Sequence, residues 1–215
     1  MLKYKLSVVI PVRNSVGTIA HTVNNVIKVL KGKKCEIIVV DNASDDNTCK
    51  SLDRFASIPN LTLVKNKDLV SMSENWERGL EYINGEYVTY IGGDDGLLQN
   101  GIEYLIKLLK RNSFDAISWG KVGYRWPSYY QTNNDGCAKF SFQVKNRDFF
   151  IDSKQMRLNV IEKLDHSYLA LPNIYNSAIS KKIIDRRIID PIIKFDFILV
   201  LSKKYLSNSK RRKMN

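Results

Sequence analysis

Short apolar runs alternate, along the first half of the chain, with stretches in which apolar residues recur every three or four positions. The first run, KLSVVIPV (5–12), is β-branched and closed by proline, which predicts a buried strand. Ile19, Val23, Val26, Ile27 and Leu30 then mark one face of an amphipathic helix whose start signals lie in Ser15 to Thr18. CEIIVVD (35–41) predicts a second strand, and SDDNTCKSLDRFAS (44–57) a helix opened by Ser/Asp capping chemistry. LTLVKN (61–66) is a third strand, SENWERGLEYING (73–85) a helix stopping at Gly85, and EYVTYIG (86–92) a fourth strand. GLLQNGIEYLIKLLKR (96–111) predicts a helix carrying Leu98, Ile102, Leu105, Ile106 and Leu109, and DAISWG (115–120) a fifth strand.

Strands and helices alternating through short connections predict an α/β fold with a mainly parallel, doubly wound, Rossmann-like sheet. Such sheets bind ligands beyond the carboxyl ends of their strands, where the strand order reverses. Arg13 and Asn14 follow the first strand, Asp41 and Asn42 close the second, and Asp94 and Asp95 follow the fourth, so polar residues gather at one edge. After Trp119 the texture changes. Residues 121–142 are rich in aromatics, Asn and Gly and predict a long loop or irregular hairpin around Asn134-Asp135-Gly136. SKQMRLNVIEKL (153–164) predicts a further helix, and LPNIYNSAISKKIIDRR (171–187) a short strand leading into a helix.

The 215 residues carry a net charge of +12, concentrated in Lys31 to Lys34 and in the segment from Lys181 to Lys213. That excess points to an anionic partner, or to a solvated basic face and end. Three dispersed cysteines and two histidines exclude a Cys/His zinc site and fit reduced thiols. The opening MLKYKLSVVIPV has too short an apolar run for a signal peptide, and residues 188–206 are interrupted by Asp, Lys and Pro. The expectation is a soluble or peripheral cytoplasmic protein.

Chemistry is sharpest in YIGGDDG (90–96), where two adjacent acids sit between glycines after a strand. They form either a solvated turn or a cation site. No G-x-G-x-x-G follows the first strand, no Walker A or G-x-S-x-G motif occurs, and DNASDDNT lacks the spacing of an EF-hand. What remains is SVVIPVRN, IIVVDNASDDNT and NWERGLEYINGEYVTYIGGDDG, in that order. This run resembles the motifs of family 2 glycosyltransferases of the GT-A fold.

The resemblance implies an inverting transferase that moves a sugar from a nucleotide-diphospho-sugar, a UDP-sugar foremost, to a saccharide or lipid-linked acceptor. It implies Mn²⁺ or Mg²⁺, with Asp95 as metal ligand and Asp94 on the ribose or sharing the metal in the family's D-x-D motif. Asp41 takes the hydrogen bond of the base imide, Pro11 and Val12 wall the base, and Asn14 and Asn42 complete the nucleoside pocket. Asp41 has a structural alternative, as cap of the helix beginning near Ser44. Arg13 and Lys65 are candidates for the diphosphate, or solvated strand-end cations. Trp119, Trp126, Tyr129 and Tyr130 fall where an acceptor loop is expected, or form a hydrophobic lid.

On this reading residues 1–120 form the donor half of one GT-A domain, 121–187 the acceptor half, and 188–215 an atypical basic tail. Two positions depart from the family pattern. Gly93 stands where relatives with this phrasing carry an acid, and the segment after residue 185 does not match the stretch that supplies the catalytic base. Asp190 is the first candidate for that base and Asp196 the second. The expected setting is bacterial surface polysaccharide, lipopolysaccharide or glycolipid assembly, with peripheral docking on an anionic membrane. The alternatives are a catalytically silent nucleotide-sugar binder and a basic nucleic-acid-binding protein, the latter without a recognisable module. A sugar nucleotidyltransferase needs a Gly-rich basic loop after the first strand, for which PVRNSVGT is a poor substitute.

Overall fold

A computed structural model describes residues 3–111, 113–120, 122–124, 138–140 and 175–184. The chain divides into two compact units, residues 1–117 with 172–215 and residues 118–171. In the first, β1 (Tyr4–Val12), β2 (Cys35–Asp41), β3 (Leu61–Lys65), β4 (Gly85–Tyr90), β5 (Ala116–Ser118) and β8 (Ser177–Ser180) form a six-stranded sheet ordered β3-β2-β1-β4-β8-β5. The pairs β1–β2, β2–β3 and β1–β4 are parallel, whereas β8 runs antiparallel to β4, with Val88 opposite Ile179 and Tyr87 opposite Ser180. The chain winds outward from β1 to β3 and returns to β4 on the other side of β1. Strand order therefore reverses at β1, and the crevice lies beyond the ends of β1 and β4.

Val8, Val9 and Ile10 are each fully buried, so β1 is covered on both faces, which accounts for its unbroken apolar run. On the Val9 face, Ile38, Val40, Val88, Tyr90 and Ile179 form one core with Trp76 and Leu80 of α3 (Met72–Leu80). Ile183 and Ile184 of α5 (Lys181–Ile184) join it. The remaining helices are α1 (Ile19–Leu30), which packs on β2, the short α2 (Thr48–Asp53), and α4 (Gln99–Arg111), which packs on β1. Burial pushes the Cys35 thiol up to about 11 against the opposing pull of Lys33, which marks it as core.

Three helix limits differ from the sequence expectation. α3 stops at Leu80, not at Gly85, because Glu81 and Tyr82 close the last turn on Arg78 and Gly79 carbonyls. Gly85 is instead the first residue of β4, where a Cβ would lie 2.5 Å from Ser7 Oγ and 2.7 Å from Ser7 N. α2 ends at Asp53 and continues as tight turns through Phe55, Ala56 and Ile58, each N–H bonding three residues back. Leu98 precedes α4 and is 68% exposed, its carbonyl accepting from Ile102 N.

In the second unit β6 (Val122–Tyr124) pairs antiparallel with β7 (Ala138–Phe140), Tyr124 opposite Ala138, as a hairpin requires. The Asn134-Asp135-Gly136 turn, the helix expected at 153–164 and the basic tail lie outside the described residues. Among the described residues no helix is long and apolar enough to cross a membrane.

Candidate functional site

The acid pair is built from glycine upward. β4 ends as Ile91 N donates to Val9 O, and the chain turns so that Asp95 N reaches Gly92 O at 3.2 Å. Asp95 Oδ2 in turn accepts from Gly92 N at 2.8 Å. A Cβ on Gly92 would sit 2.7 Å from Asp94 Oδ1 and 3.0 Å from Asp95 Oδ2. Both carboxylates therefore fold over the same bare α-carbon while their residues stay exposed. Such a cradle fits a hard divalent ion, which needs only one or two protein carboxylates beside ligand phosphates and water.

α1 holds this turn in place. The buried Thr22 hydroxyl lies 3.0 Å from Gly93 O and 2.8 Å from Asp95 O, and donates its hydrogen between them. One turn further on, Asn25 accepts from Leu97 N at 2.7 Å and donates to Leu97 O. Neither residue stood out in the sequence, where both are polar positions flanking the apolar stripe of α1.

The other strand ends are tied to the same place. Val12 is the register partner of Asp41, and a Cβ on Gly93 would lie 2.9 Å from Val12 Cγ2. Asp41, Val12 and Gly93 thus form a continuous floor across β2, β1 and the β4 turn. Asp41 is buried, and its carboxylate accepts from the Ser44 hydroxyl, which itself accepts from Asn14 N at 3.0 Å. The helix-cap alternative for Asp41 is excluded, because α2 begins at Thr48 and Asp46 Oδ1 accepts from Thr48 N at 2.7 Å.

Asn14 adopts φ +48°, in the left-handed region that Asn tolerates, and exchanges two hydrogen bonds with Asp45. Arg13 reaches the same Asp45 at 3.6 Å, exposed to solvent. Asp46 also accepts from Val16 N. Burial opposes ionisation of its carboxyl, but the hydrogen bonds from Thr48 and Val16 outweigh this and hold it below the ordinary carboxylate range.

Residues 7–168 match the family model for glycosyl transferase family 2. The chain belongs to that family. This family 2 chain is 29% identical over 150 residues to the glycosyltransferase GlyG of Streptococcus pneumoniae, covering 68% of itself and 46% of GlyG. It is 30% identical over 123 residues to the poly(ribitol-phosphate) β-N-acetylglucosaminyltransferase TarP of Staphylococcus aureus, covering 55% of itself and 37% of TarP. The chain thus spans less than half the length of these relatives. The crystal structure of S. aureus TarS 1–349 in complex with UDP superposes with a TM-score of 0.61 at 16% identity, over 94% of this chain and 54% of that one. The sheet, its order and this likeness make the fold GT-A.

Within this family 2 fold, the residues expected at the site part into groups. Val12 and Asp41 are register partners and Pro11 pairs with Val40, while the turn that carries Asp94 and Asp95 packs on Val12 through Gly93. Asn42 is buried and committed to the protein: its Oδ1 accepts from Val70 N and Asn66 Nδ2, and its Nδ2 donates to Val70 O. It anchors the β3–α3 loop, with Asn66 passing the network to Asn75 and Val40 O. Lys65 is turned to Asp53 at 2.6 Å, a bond that, with Cys49, raises its pKa. Trp119 is half-buried in the second unit. Trp126, Tyr129, Tyr130, Asp190 and Asp196 lie outside the described residues. Sequence reasoning passed over one aromatic, Tyr175, whose phenol is raised first by burial and then by the charges of Asp95 and Asp94.

Proposed function

We propose that this chain transfers a sugar from a nucleotide-diphospho-sugar, a UDP-sugar foremost, to a saccharide or lipid-linked acceptor with inversion at the anomeric carbon. The observation that carries the reading is the folding of Asp94 and Asp95 over Gly92, on a floor continuous through Val12 to Asp41. Family membership and the name of TarP, an N-acetylglucosaminyltransferase, support it.

On this reading the acceptor hydroxyl attacks the anomeric carbon as the bond to the diphosphate breaks, and the acceptor proton passes to a carboxylate, for which Asp190 and then Asp196 are the candidates. Asp41 accepts from the base imide, and Pro11 and Val12 lie against the ring. Asp95 and Asp94 would hold Mn²⁺ or Mg²⁺. The ion, when bound, neutralises charge developing on the leaving diphosphate. Thr22 and Asn25 hold the backbone of the acid turn on α1, so the main chain that carries the carboxylates is in place before ligand arrives.

Docking on an anionic membrane belongs to the same proposal. It is supported by the clustering of Lys33, Lys107, Lys110 and Arg111 around one cleft of about 320 Å³, where Glu103 pairs with Lys33 and leaves the lining net positive. Calorimetric titration with UDP, with and without Mn²⁺, followed by donor hydrolysis, tests the donor reading. Metal-dependent UDP binding with turnover is expected. Binding without hydrolysis or transfer would favour a silent binder. Tight, salt-steep RNA or DNA binding with no response to UDP-sugars would overturn the reading.

A further inference from the structure

β8 enters the sheet antiparallel beside β4, so the start of β8 lies at the end of β4, where the acid turn begins. Tyr87 faces Ser180 and Val88 faces Ile179. Continuing that register sets Ser177, the first residue of β8, level with Tyr90, and Tyr175 lies in the turn two residues before it, near where β4 gives way to the acid turn. Packing places its side chain: Tyr175 stands half-buried against the core of Ile179, Val88 and Tyr90, the face covered by α3.

Its ring meets Trp76 edge-on, with centroids 5.6 Å apart and planes at 89°. Trp76 is itself fixed, since its carbonyl accepts from the Tyr90 hydroxyl at 2.8 Å and its ring lies 6.5 Å from that of Tyr90. Edge-to-face pairs of this kind hold a ring in one orientation. Electrostatically the phenol senses both Asp95 and Asp94. An aromatic with a polar tip is thus braced beside the acid pair, on the side away from Val12 and Asp41.

We propose that Tyr175, backed by Trp76, contacts the sugar of the nucleotide sugar beside the acid pair, its hydroxyl making one hydrogen bond to a sugar hydroxyl, and so sets sugar specificity. The inference rests on the donor-site reading and deepens it. With the nucleoside on the Asp41 side and the diphosphate at the acids, the group that follows in the ligand is the sugar. Tyrosine offers it an apolar face and a polar edge, the pairing that carbohydrate rings present.

The test compares wild type, Tyr175→Phe and Tyr175→Leu by calorimetry with Mn²⁺. The probes are UDP and GDP against UDP-glucose, UDP-galactose, UDP-N-acetylglucosamine and GDP-mannose. The readout is the ratio of Kd for the best-bound nucleotide sugar to Kd for its free nucleoside diphosphate. Loss of one hydrogen bond raises that ratio about fivefold in Tyr175→Phe, and loss of the ring raises it further in Tyr175→Leu, while nucleoside diphosphate affinity stays put. Unchanged melting of Tyr175→Phe shows that the fold is intact. An unchanged ratio in both variants, or a parallel fall in both affinities, would overturn the assignment and leave the donor site standing. A wild-type protein that binds none of the six ligands would overturn the donor-site reading and this inference together.

Discussion

At the scale of the residue, Gly92 and Gly93 are glycines for different reasons. Gly92 leaves the space into which two carboxylates fold, and those side chains are exposed and able to swing aside. Gly92→Ala therefore keeps stability within about 1 kcal/mol but lowers Mn²⁺-dependent UDP affinity about tenfold or more, as thermal melts and titration will show. Gly93 is buried against Val12, so an acidic side chain there has no room beside this valine. Gly93→Asp destabilises by about 1–3 kcal/mol, and adding Val12→Ala recovers part of the loss in denaturant melts. Asp46 gives a pH signature. Its folded pKa is depressed, so its contribution to stability is present above the ordinary aspartate value, about 3.9, and is lost as pH falls below it. Asp46→Asn flattens the acid limb of a stability–pH curve, and a limb of unchanged slope would remove Asp46 from the account.

At the scale of the element, α1 is the platform of the site. Its apolar face buries Ile19, Val23 and Val26 against the sheet, while Thr22 and Asn25 on the flank grip the acid turn. Thr22→Val keeps the shape but leaves Gly93 O and Asp95 O without that hydroxyl. The expected cost is about 1–3 kcal/mol, with weaker UDP·Mn²⁺ binding, measured by chemical denaturation and titration. The opposite end of the sheet is locked independently. Buried Glu36 accepts from the Ser7 hydroxyl at 2.6 Å and from Asn84 N, and Ser7 Oγ accepts from Gly85 N at 3.0 Å. This latch seats the start of β4 on β1 and β2, which fixes where its other end delivers the acids. Gly85→Ala forces a methyl onto Ser7 backbone and costs about 3 kcal/mol in a urea melt.

At the scale of the whole molecule, the acid pair and one basic cluster lie at opposite ends of the sheet. The acids stand beyond the carboxyl ends of β1, β2 and β4, whereas Lys33, Lys107, Lys110 and Arg111 cluster where α1 and α4 terminate. Cations at helix C-termini are locally favourable in any case. Membrane docking therefore makes its own prediction: sedimentation with anionic vesicles that falls as salt rises through about 0.15 M, with little binding to neutral vesicles. Equal, salt-insensitive partitioning to both would rule it out.

The sequence by itself determined the alternation of strands and helices, because a doubly covered parallel sheet demands unbroken apolar runs and amphipathic helices between them. It also determined the acid pair and its place after the fourth strand, since both are contiguous in the chain. Helix limits near Leu80, Asp53 and Leu98 were not legible, because they depend on tight-turn closure and on how close β4 approaches β1. Only tertiary structure brought Thr22, Asn25 and Tyr175 to the acid turn, from positions 70 or more residues away in sequence. It alone committed Asn42 to a loop network and Lys65 to Asp53. Local pattern encodes which face of an element is buried. Which polar side chains meet across the crevice follows from strand order and register, and those are settled only when the sheet is assembled.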